Sequence, residues 1–528
     1  TQKLDYIKDL GVTAIWISPP SENELLSRDG EESGYHGYFT HNYNSADPHY
    51  GTKEDLINLV STAHEKGLKV ILDVVPNHTA DYFNGSSSTY DSDSYQPAAP
   101  FNNPNWYHHF GDITDWSDEN QVLNYDLGGL DDLNQDNPDA RQAIKDAYKA
   151  WVEDTGADGV RIDAARSLPK DFIQEFENYL GVPSFGEIFV GDVDYVSDFS
   201  NYEWGVLDFP LFFQAREVFA HDASFTTVKS IFDQDSKYND VNHLVTFIDN
   251  HDRDRFLCLA DDNYQKLRLA LTFIFTVRGI PDVYYGTEQN CYGGGVPTEW
   301  AGIANKENRE VMPGFDEDGI TFKYIQRLTE LRKEYACLQT GTQREMWAED
   351  NIYAFSRRDD SNGQEIISVF NNGTSNETRA IPLRAESSLA VGTTLTNLLD
   401  TSVTATVEAG GITGKVLNLT IPAKTAWVFT SDNVADYAPP ARTVTTIRVH
   451  YDVGLGNTMY LRGSDYPLTW DSGRSMLNVS SDVWVYETER IGKGESFELK
   501  PLINDTTWSS GNNYTVVGGE TIDIYPNF

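Results

Sequence analysis

The sequence predicts an α/β fold, a (β/α)8 TIM barrel, followed by all-β modules, and three observations carry that reading. Up to about residue 345, short apolar runs alternate with amphipathic stretches, the pattern of a parallel sheet covered on both faces. Beyond that point the periodicity becomes one of short alternating strands. Acidic residues also close several of the apolar runs, and the rim of a barrel is where charged groups from distant positions converge. At 528 residues the chain exceeds one compact core, so roughly two to four domains are expected.

Barrel strands are expected at Thr13–Pro19, Lys69–Val75, Asp158–Ala164, Pro183–Ile188, Gly205–Pro210, His243–Asp249 and Pro281–Gly286. Helices are expected at Lys53–Lys66, Ala140–Asp154, Lys170–Leu180 and Asn263–Val277. Seven strands is one short of eight. Residues 1–10 read as the helix after a strand, so the first strand is expected upstream of residue 1, and no secretory leader is visible.

About 80 residues separate Val75 from Asp158, and 79–135 are rich in Asn, Asp, Ser, Tyr and Trp. A long irregular insertion in a compact domain is usually functional. It reads as a small inserted domain over the rim, after the third strand, leaving 1–78 and 136–345 to the catalytic barrel. Strands at Ile352–Arg357, Glu365–Phe370, Lys415–Ile421 and Ala426–Thr430 place a β-sandwich over 346–432. The polar, Pro-containing stretch 433–444 reads as a linker. Residues 445–528 read as a second β module punctuated by Trp470, Trp484, Tyr486, Trp508 and Tyr514.

Asp plus Glu outnumber Lys plus Arg by 81 to 40, a net charge of −41. Phosphate backbones would be repelled, which excludes a nucleic-acid partner; a neutral polysaccharide would be indifferent to the charge. The acidity reads either as solubility or as adaptation to a saline habitat, where counterions screen self-repulsion. No run approaches the roughly 18 apolar residues of a membrane span. Cys258, Cys291 and Cys337 are too few and too far apart for a disulfide framework or a CxxC metal site, and read as buried thiols.

The chemistry sits in Gly159-Val160-Arg161-Ile162-Asp163, Phe185-Gly186-Glu187-Ile188 and Phe247-Ile248-Asp249-Asn250-His251-Asp252. Period-two alternation puts Arg161 and Asp163 on one strand face, and a cation beside a carboxylate holds it ionised, as a nucleophile requires. Alone, the Arg-x-Asp pattern reads more readily as an ordinary salt bridge. Glu187 alone is equally ambiguous, and Asn250-His251-Asp252 could be a metal or triad fragment. Two carboxylates are what a glycosidic bond needs for cleavage through a covalent intermediate, and a third can hold the distorted sugar.

Four further segments change the weighing: Gly11 through Pro19, Asp73-Val74-Val75-Pro76-Asn77-His78, Leu130-Asp131-Asp132-Leu133-Asn134, and Gly279 through Glu288. Seven ordered segments over residues 1 to about 430 closely resemble the α-amylase family, glycoside hydrolase family 13. The resemblance implies that Asp163 is the nucleophile, Glu187 the general acid/base and Asp252 the transition-state stabiliser. It implies that Arg161, His78 and His251 contact the −1 sugar or orient Asp163, that Tyr38 is its stacking platform, and that Asp73 supports the site. Arg309 is expected to reach further glycone subsites. Where many members carry Lys-His after the nucleophile segment, this chain has Arg166-Ser167, so aglycone contacts are expected to differ at Arg166. By the same resemblance Asn77, Asp132 and the Ser167 carbonyl are expected to hold calcium, whose hardness suits oxygen donors.

The tail resembles, much more weakly, a starch-binding module, with Trp484 and Trp508 as the expected sugar-stacking rings, although Trp in a small sandwich is commonly core. The expectation is therefore a secreted, monomeric, retaining endo-acting α-amylase acting on starch and related α-1,4-glucans, with no membrane or nucleic-acid partner. The two catalytic carboxyls are expected about 5–5.5 Å apart, as retention demands. The rivals are a transglycosylating or maltooligosaccharide-forming relative, and a non-catalytic starch-binding protein. The presence of all three carboxylates argues against the latter.

Overall fold

The structure, a computed structural model, describes residues 1–30, 33–293, 306–465 and 468–528. Its first and central element is a parallel sheet whose seven described strands pair strictly in chain order. They are β1 (Ala14–Ile17), β2 (Lys69–Val74), β3 (Gly159–Ile162), β4 (Ser184–Gly186), β5 (Gly205–Leu207), β6 (Leu244–Thr246) and β7 (Ile280–Pro281). Sequential order with helical crossovers is barrel topology.

The strands are shorter than their apolar runs, most of all β7, where the expected Pro281–Gly286 contributes only Pro281 to the ladder. The residues past each ladder's end are the ones that turn out over the rim. The helix Leu4–Asp9 packs beside the last barrel helix, Ile320–Glu334: Gln326 Nε2 donates to the Asp9 carbonyl (2.6 Å) and Thr329 Oγ1 to that of Leu10 (3.0 Å).

Local chemistry explains the helix limits. Pro138–Thr155 starts at Asn137, whose side chain accepts from Asp139 and Ala140 N–H groups, and stops at the left-handed Gly156. Lys53–Glu65 opens on a reciprocal Thr52/Asp55 capping box. The apolar faces of these helices join the barrel strands in one large core that includes Trp151, Val160, Ile162 and Phe176.

The 79–135 stretch has no extended sheet among the described residues; an isolated bridge of His78 with Asp132 holds it to the rim, and another, Tyr107 with Leu133, closes it on itself. Buried Asp131 accepts the backbone N–H groups of Tyr82 (2.5 Å) and Phe83 (3.3 Å). Packed rings of Phe83, Tyr90, Tyr107 and His109 supply a small core in place of regular structure.

Residues Thr342–Thr430 form one antiparallel ladder of eight strands that folds over on itself through Thr404–Ala409. It encloses Ile352, Val369, Leu395, Leu417 and Phe429. The last module is built from a four-stranded sheet, including Thr445–His450 and Val483–Thr488, and a second sheet centred on Ser496–Ile503. All three cysteines are buried, and none forms a disulfide. No helix of the described residues is long and apolar enough to cross a membrane.

Candidate active site

Asp163 lies one residue beyond β3, and alternation carries Arg161 and Asp163 to the same face. Arg161 is wholly buried and its Nη1 donates to Asp163 Oδ1 (2.7 Å) and to Asp73 Oδ1 (3.0 Å). Its Nη2 lies 2.9 Å from Glu187 Oε2. One planar guanidinium thus spans Asp163 and Glu187, an arrangement compatible with the roughly 5 Å separation of a retaining pair.

The chain leaves Asp163 through Ala164, a non-glycine residue at φ 48°. Strained backbone of this kind gathers at functional sites, and here it aims the Ala164 N–H at Glu187 Oε2 (3.2 Å). Gly186, immediately before Glu187, has no room for a side chain: a Cβ there would lie 2.3 Å from Glu203 Oε1 and 2.8 Å from Ala165 Cβ.

The opposite wall is a hydrogen-bonded chain. Trp16 Nε1 donates to Asp73 Oδ2 (3.0 Å), and the Tyr38 hydroxyl donates to the same oxygen (2.9 Å). The Tyr38 oxygen lies 2.9 Å from His251 Nε2, which is also 3.0 Å from Asp252 Oδ2. The Tyr38 proton is committed to Asp73, so both neighbours of Nε2 present lone pairs and the imidazole proton resides there. The Tyr38 and His251 rings are nearly parallel, with centroids 5.5 Å apart.

On the far side of Asp252, Arg309 Nη2 donates to its Oδ1 (3.0 Å) and Arg309 Nε to the His251 carbonyl (2.8 Å). Asn308 Nδ2 caps the same turn through the carbonyls of His251 (2.8 Å) and Arg253 (3.0 Å). Buried His78 places Nε2 3.8 Å from Asp163 Oδ2, with no hydrogen-bond partner on that nitrogen among the described residues.

These surroundings separate the three carboxyls. Burial pushes Asp163 and Glu187 up, with the Arg161 charge opposing it on both. Such a pair titrates as a unit. Arg161 Nη1, at 2.7 Å, is the nearest counter-charge to Asp163. Burial also pushes Asp252 up, but His251, Arg309 and Arg161 together outweigh it and hold the group well below the usual carboxylate range. His78 is pushed down to about 4 by burial and is neutral at pH 7.

Arg166 does not stand free on the aglycone side. Its Nη2 donates to the Trp116 carbonyl (2.8 Å), and its guanidinium lies over the Trp116 ring (5.1 Å) and the Tyr195 ring (5.6 Å). Trp116 and Tyr195, together with Trp16 and Asn308, were assigned no role from sequence. Trp116 sits in an irregular insertion, where no periodicity marks a side chain as rim-facing.

For the expected calcium donors, Asn77 Oδ1 and Asp132 Oδ1 are wholly buried and have no hydrogen-bond partner among the described residues. The other Asp132 oxygen is taken by His108 Nδ1 (2.6 Å), and Ser167 is buried. Two orphaned buried oxygens fit a hard cation. Among the described residues no cluster of three or more His, Cys, Asp or Glu is arranged as a metal site. The expected donor set differs in kind: one carboxylate, one amide and one main-chain carbonyl.

In the tail, Trp484 is 7% exposed within the module core, its Nε1 donating to the Tyr451 carbonyl (3.2 Å). This corrects the expectation for Trp484: its side of the strand Val483–Thr488 packs into the module core, and its face is not open to a ligand. Trp508 is 43% exposed and its ring neighbour is Trp470, 37% exposed, at 6.4 Å between centroids. Arg462 braces that pair, over the Trp508 ring at 5.3 Å and donating to the Trp470 carbonyl (3.0 Å) and to Asp505 Oδ1 (2.8 Å).

Comparison with known proteins gives a consistent result. A cyclomaltodextrin glucanotransferase of Bacillus sp. (strain 38-2) is 30% identical over 97% of this chain and 76% of that protein. A Beta/alpha-amylase of Paenibacillus polymyxa is 38% identical over 81% of this chain, but the match spans only 34% of that longer protein. Among solved structures, the cyclomaltodextrin glucanotransferase CldA superposes with a TM-score of 0.72 at 32% identity, covering 82% of this chain and 90% of that one. The α-amylase of Geobacillus thermoleovorans, solved with acarbose, gives 0.68 at 30% identity, covering 81% and 90%. The profile described as "Alpha amylase, catalytic domain" matches residues 1–318, and the chain belongs to the α-amylase family.

Proposed function

We propose that the chain is a retaining glycoside hydrolase acting on internal α-1,4-glucosidic bonds of starch and related glucans. The observation that supports this most directly is the Arg161 fork between Asp163 and Glu187, with Asp252 kept ionised opposite. In this reading Glu187 protonates the leaving glycosidic oxygen while Asp163 attacks the anomeric carbon. The C–O bond to the aglycone breaks as a glycosyl ester forms on Asp163. Water, deprotonated by Glu187, then releases the sugar. Asp252, His251, His78 and Arg309 bind hydroxyls around the distorted ring, and Tyr38 offers it a ring face.

Calcium is proposed between barrel and insertion, with Asn77 Oδ1, Asp132 Oδ1 and the Ser167 carbonyl among its donors. When bound it would supply a fixed charge neutralising buried Asp132 and would join the 79–135 stretch to β3. Trp508 with Trp470 is proposed as a glucan-stacking face of the last module. Secretion is proposed from the substrate, a polymer outside the cell.

A second reading, transfer to a sugar acceptor rather than to water, is favoured by the naming of relatives that match most of this chain as glucanotransferases. Product chromatography from soluble starch over time decides between them: linear oligosaccharides support hydrolysis, and cyclic or elongated glucans support transfer. Glu187→Gln, with the proton donor removed, is expected to lower kcat by about 10²–10⁴-fold. Undiminished release of reducing sugar by that variant would refute the assignment.

A further inference from the structure

The last module is fastened to the barrel rather than hung from a linker. Tyr437, in the stretch expected to be a linker, shares three hydrogen bonds with Thr401 (2.9, 2.9 and 2.8 Å) and lies under Arg327. Glu489 of the module, its side chain 4% exposed, receives a bidentate bond from Arg268 on the barrel helix Tyr264–Thr276 (2.9 Å each) and is also paired with Arg442. Tyr486 and Thr488 donate to the buried barrel carboxyl Asp262 (3.4 Å each).

Two more contacts from the module reach the β7 loop. Arg490 donates to the Asn290 carbonyl, and Arg474 donates to the Tyr292 hydroxyl with its guanidinium 3.7 Å from the ring centroid.

From there the path to the cleft is short. The Gly293 N–H donates to Glu310 Oε1 (3.2 Å), Arg255 Nε donates to Glu310 Oε2 (3.2 Å), and the Tyr285 hydroxyl donates to the Glu310 carbonyl (2.8 Å). Glu310 directly follows Arg309, which holds Asp252.

We propose that Arg474 and Arg490 are positioning residues for the catalytic site. The module clamps Asn290–Tyr292 from outside, which fixes Gly293 against Glu310 and so sets Arg309 on Asp252. A rigid chain of hydrogen-bonded and packed groups is the physical means by which such coupling travels. The activity consequence rests on the glucan reading of the cleft; the positional one does not.

The test is made on the full chain. Hydrogen exchange measured without substrate on Arg474→Met/Arg490→Met is expected to show faster exchange at Cys291 and Gly293 and across 308–311, with the strands β2 to β6 unchanged. Unchanged exchange at Gly293 would overturn the brace. Activity is then read on maltoheptaose. The double variant is expected to lose about 2- to 30-fold in kcat/KM, carried mainly by kcat, while Arg490→Lys in the presence of Arg474 restores most of it. Should the double variant fold poorly, Glu489→Gln loosens the same interface and is expected to give the same exchange pattern more weakly. Faster exchange at Gly293 in the double variant, together with no activity of the wild type on any α-glucan, would uphold the brace and sink the glucan reading, so the two fail separately. Leu455→Ser, at a fully exposed position of the module, is expected to match wild type on maltoheptaose; an equal loss there would overturn the role of the two arginines.

Discussion

Arg161 is the residue on which the site turns. Wholly buried, it donates to Asp73 and Asp163 and lies beside Glu187, so it decides how one proton is shared between the catalytic pair. A general acid works protonated, and burial raises the Glu187 carboxyl above its ordinary range. The alkaline limb of kcat/KM against pH therefore lies above that of a free glutamate. Arg161 opposes this rise. Arg161→Met is expected to move the limb to still higher pH while lowering kcat, since Asp163 would lose its ionised form; a limb that stays put or falls would contradict the assignment. Gly186 shows the same tightness in backbone terms, because any Cβ there collides with Glu203 and displaces Glu187.

At the scale of elements, the tail and the insertion each carry a distinguishable expectation. Trp484 packs in the module core and Trp508 lies on its surface beside Trp470. Trp484→Ala is expected to destabilise the module by about 3–5 kcal/mol, seen as a lowered unfolding midpoint. Trp470→Ala/Trp508→Ala is expected instead to weaken adsorption to insoluble starch with the midpoint unchanged. Reversal of the two phenotypes would show that the surface pair is structural. For the insertion, the orphaned oxygens of Asn77 and Asp132 predict that a chelator lowers the midpoint and that added calcium restores it. Asp132→Asn, which keeps the shape but removes the only formal charge of the donor set, is expected to blunt both effects; a midpoint indifferent to chelator would remove the proposed ion.

Over the whole molecule, the interface between the last module and the barrel buries Asp262 among Arg490, Arg474, Tyr264, Tyr486 and Thr488, and burial pushes the carboxyl from 3.8 up to about 6. A carboxyl raised by folding contributes its stability in full below the unfolded value. The contribution is lost as pH climbs through the folded one. Between pH 4 and pH 6 this group is expected to cost up to about 3 kcal/mol. Asp262→Asn should flatten the dependence of the unfolding midpoint on pH across that window. An unaltered slope would show that another group carries it.

Part of the site was legible in the order of residues because strand alternation is local, while the roles of Asp163, Glu187 and Asp252 came from the resemblance of seven ordered segments to one family. Arg161 and Asp163 share a strand face through period-two geometry, the alternation of apolar runs with helices specifies a parallel barrel, and the 81 acidic residues specify the kinds of partner it repels. What the sequence could not decide is anything that depends on which surfaces meet. Alternation alone left Trp484 open to either face, and only packing of the two module sheets showed it buried, with Trp470 taking its place beside Trp508. Trp116 entered the site because an irregular insertion, with no period to read, folds back across the rim to Arg166. The stretch 433–444, polar and Pro-containing, has the composition of a free linker. Its tether to Thr401 and the Glu489–Arg268 pair come from groups separated by tens to hundreds of residues, and only the closed tertiary structure brings them together.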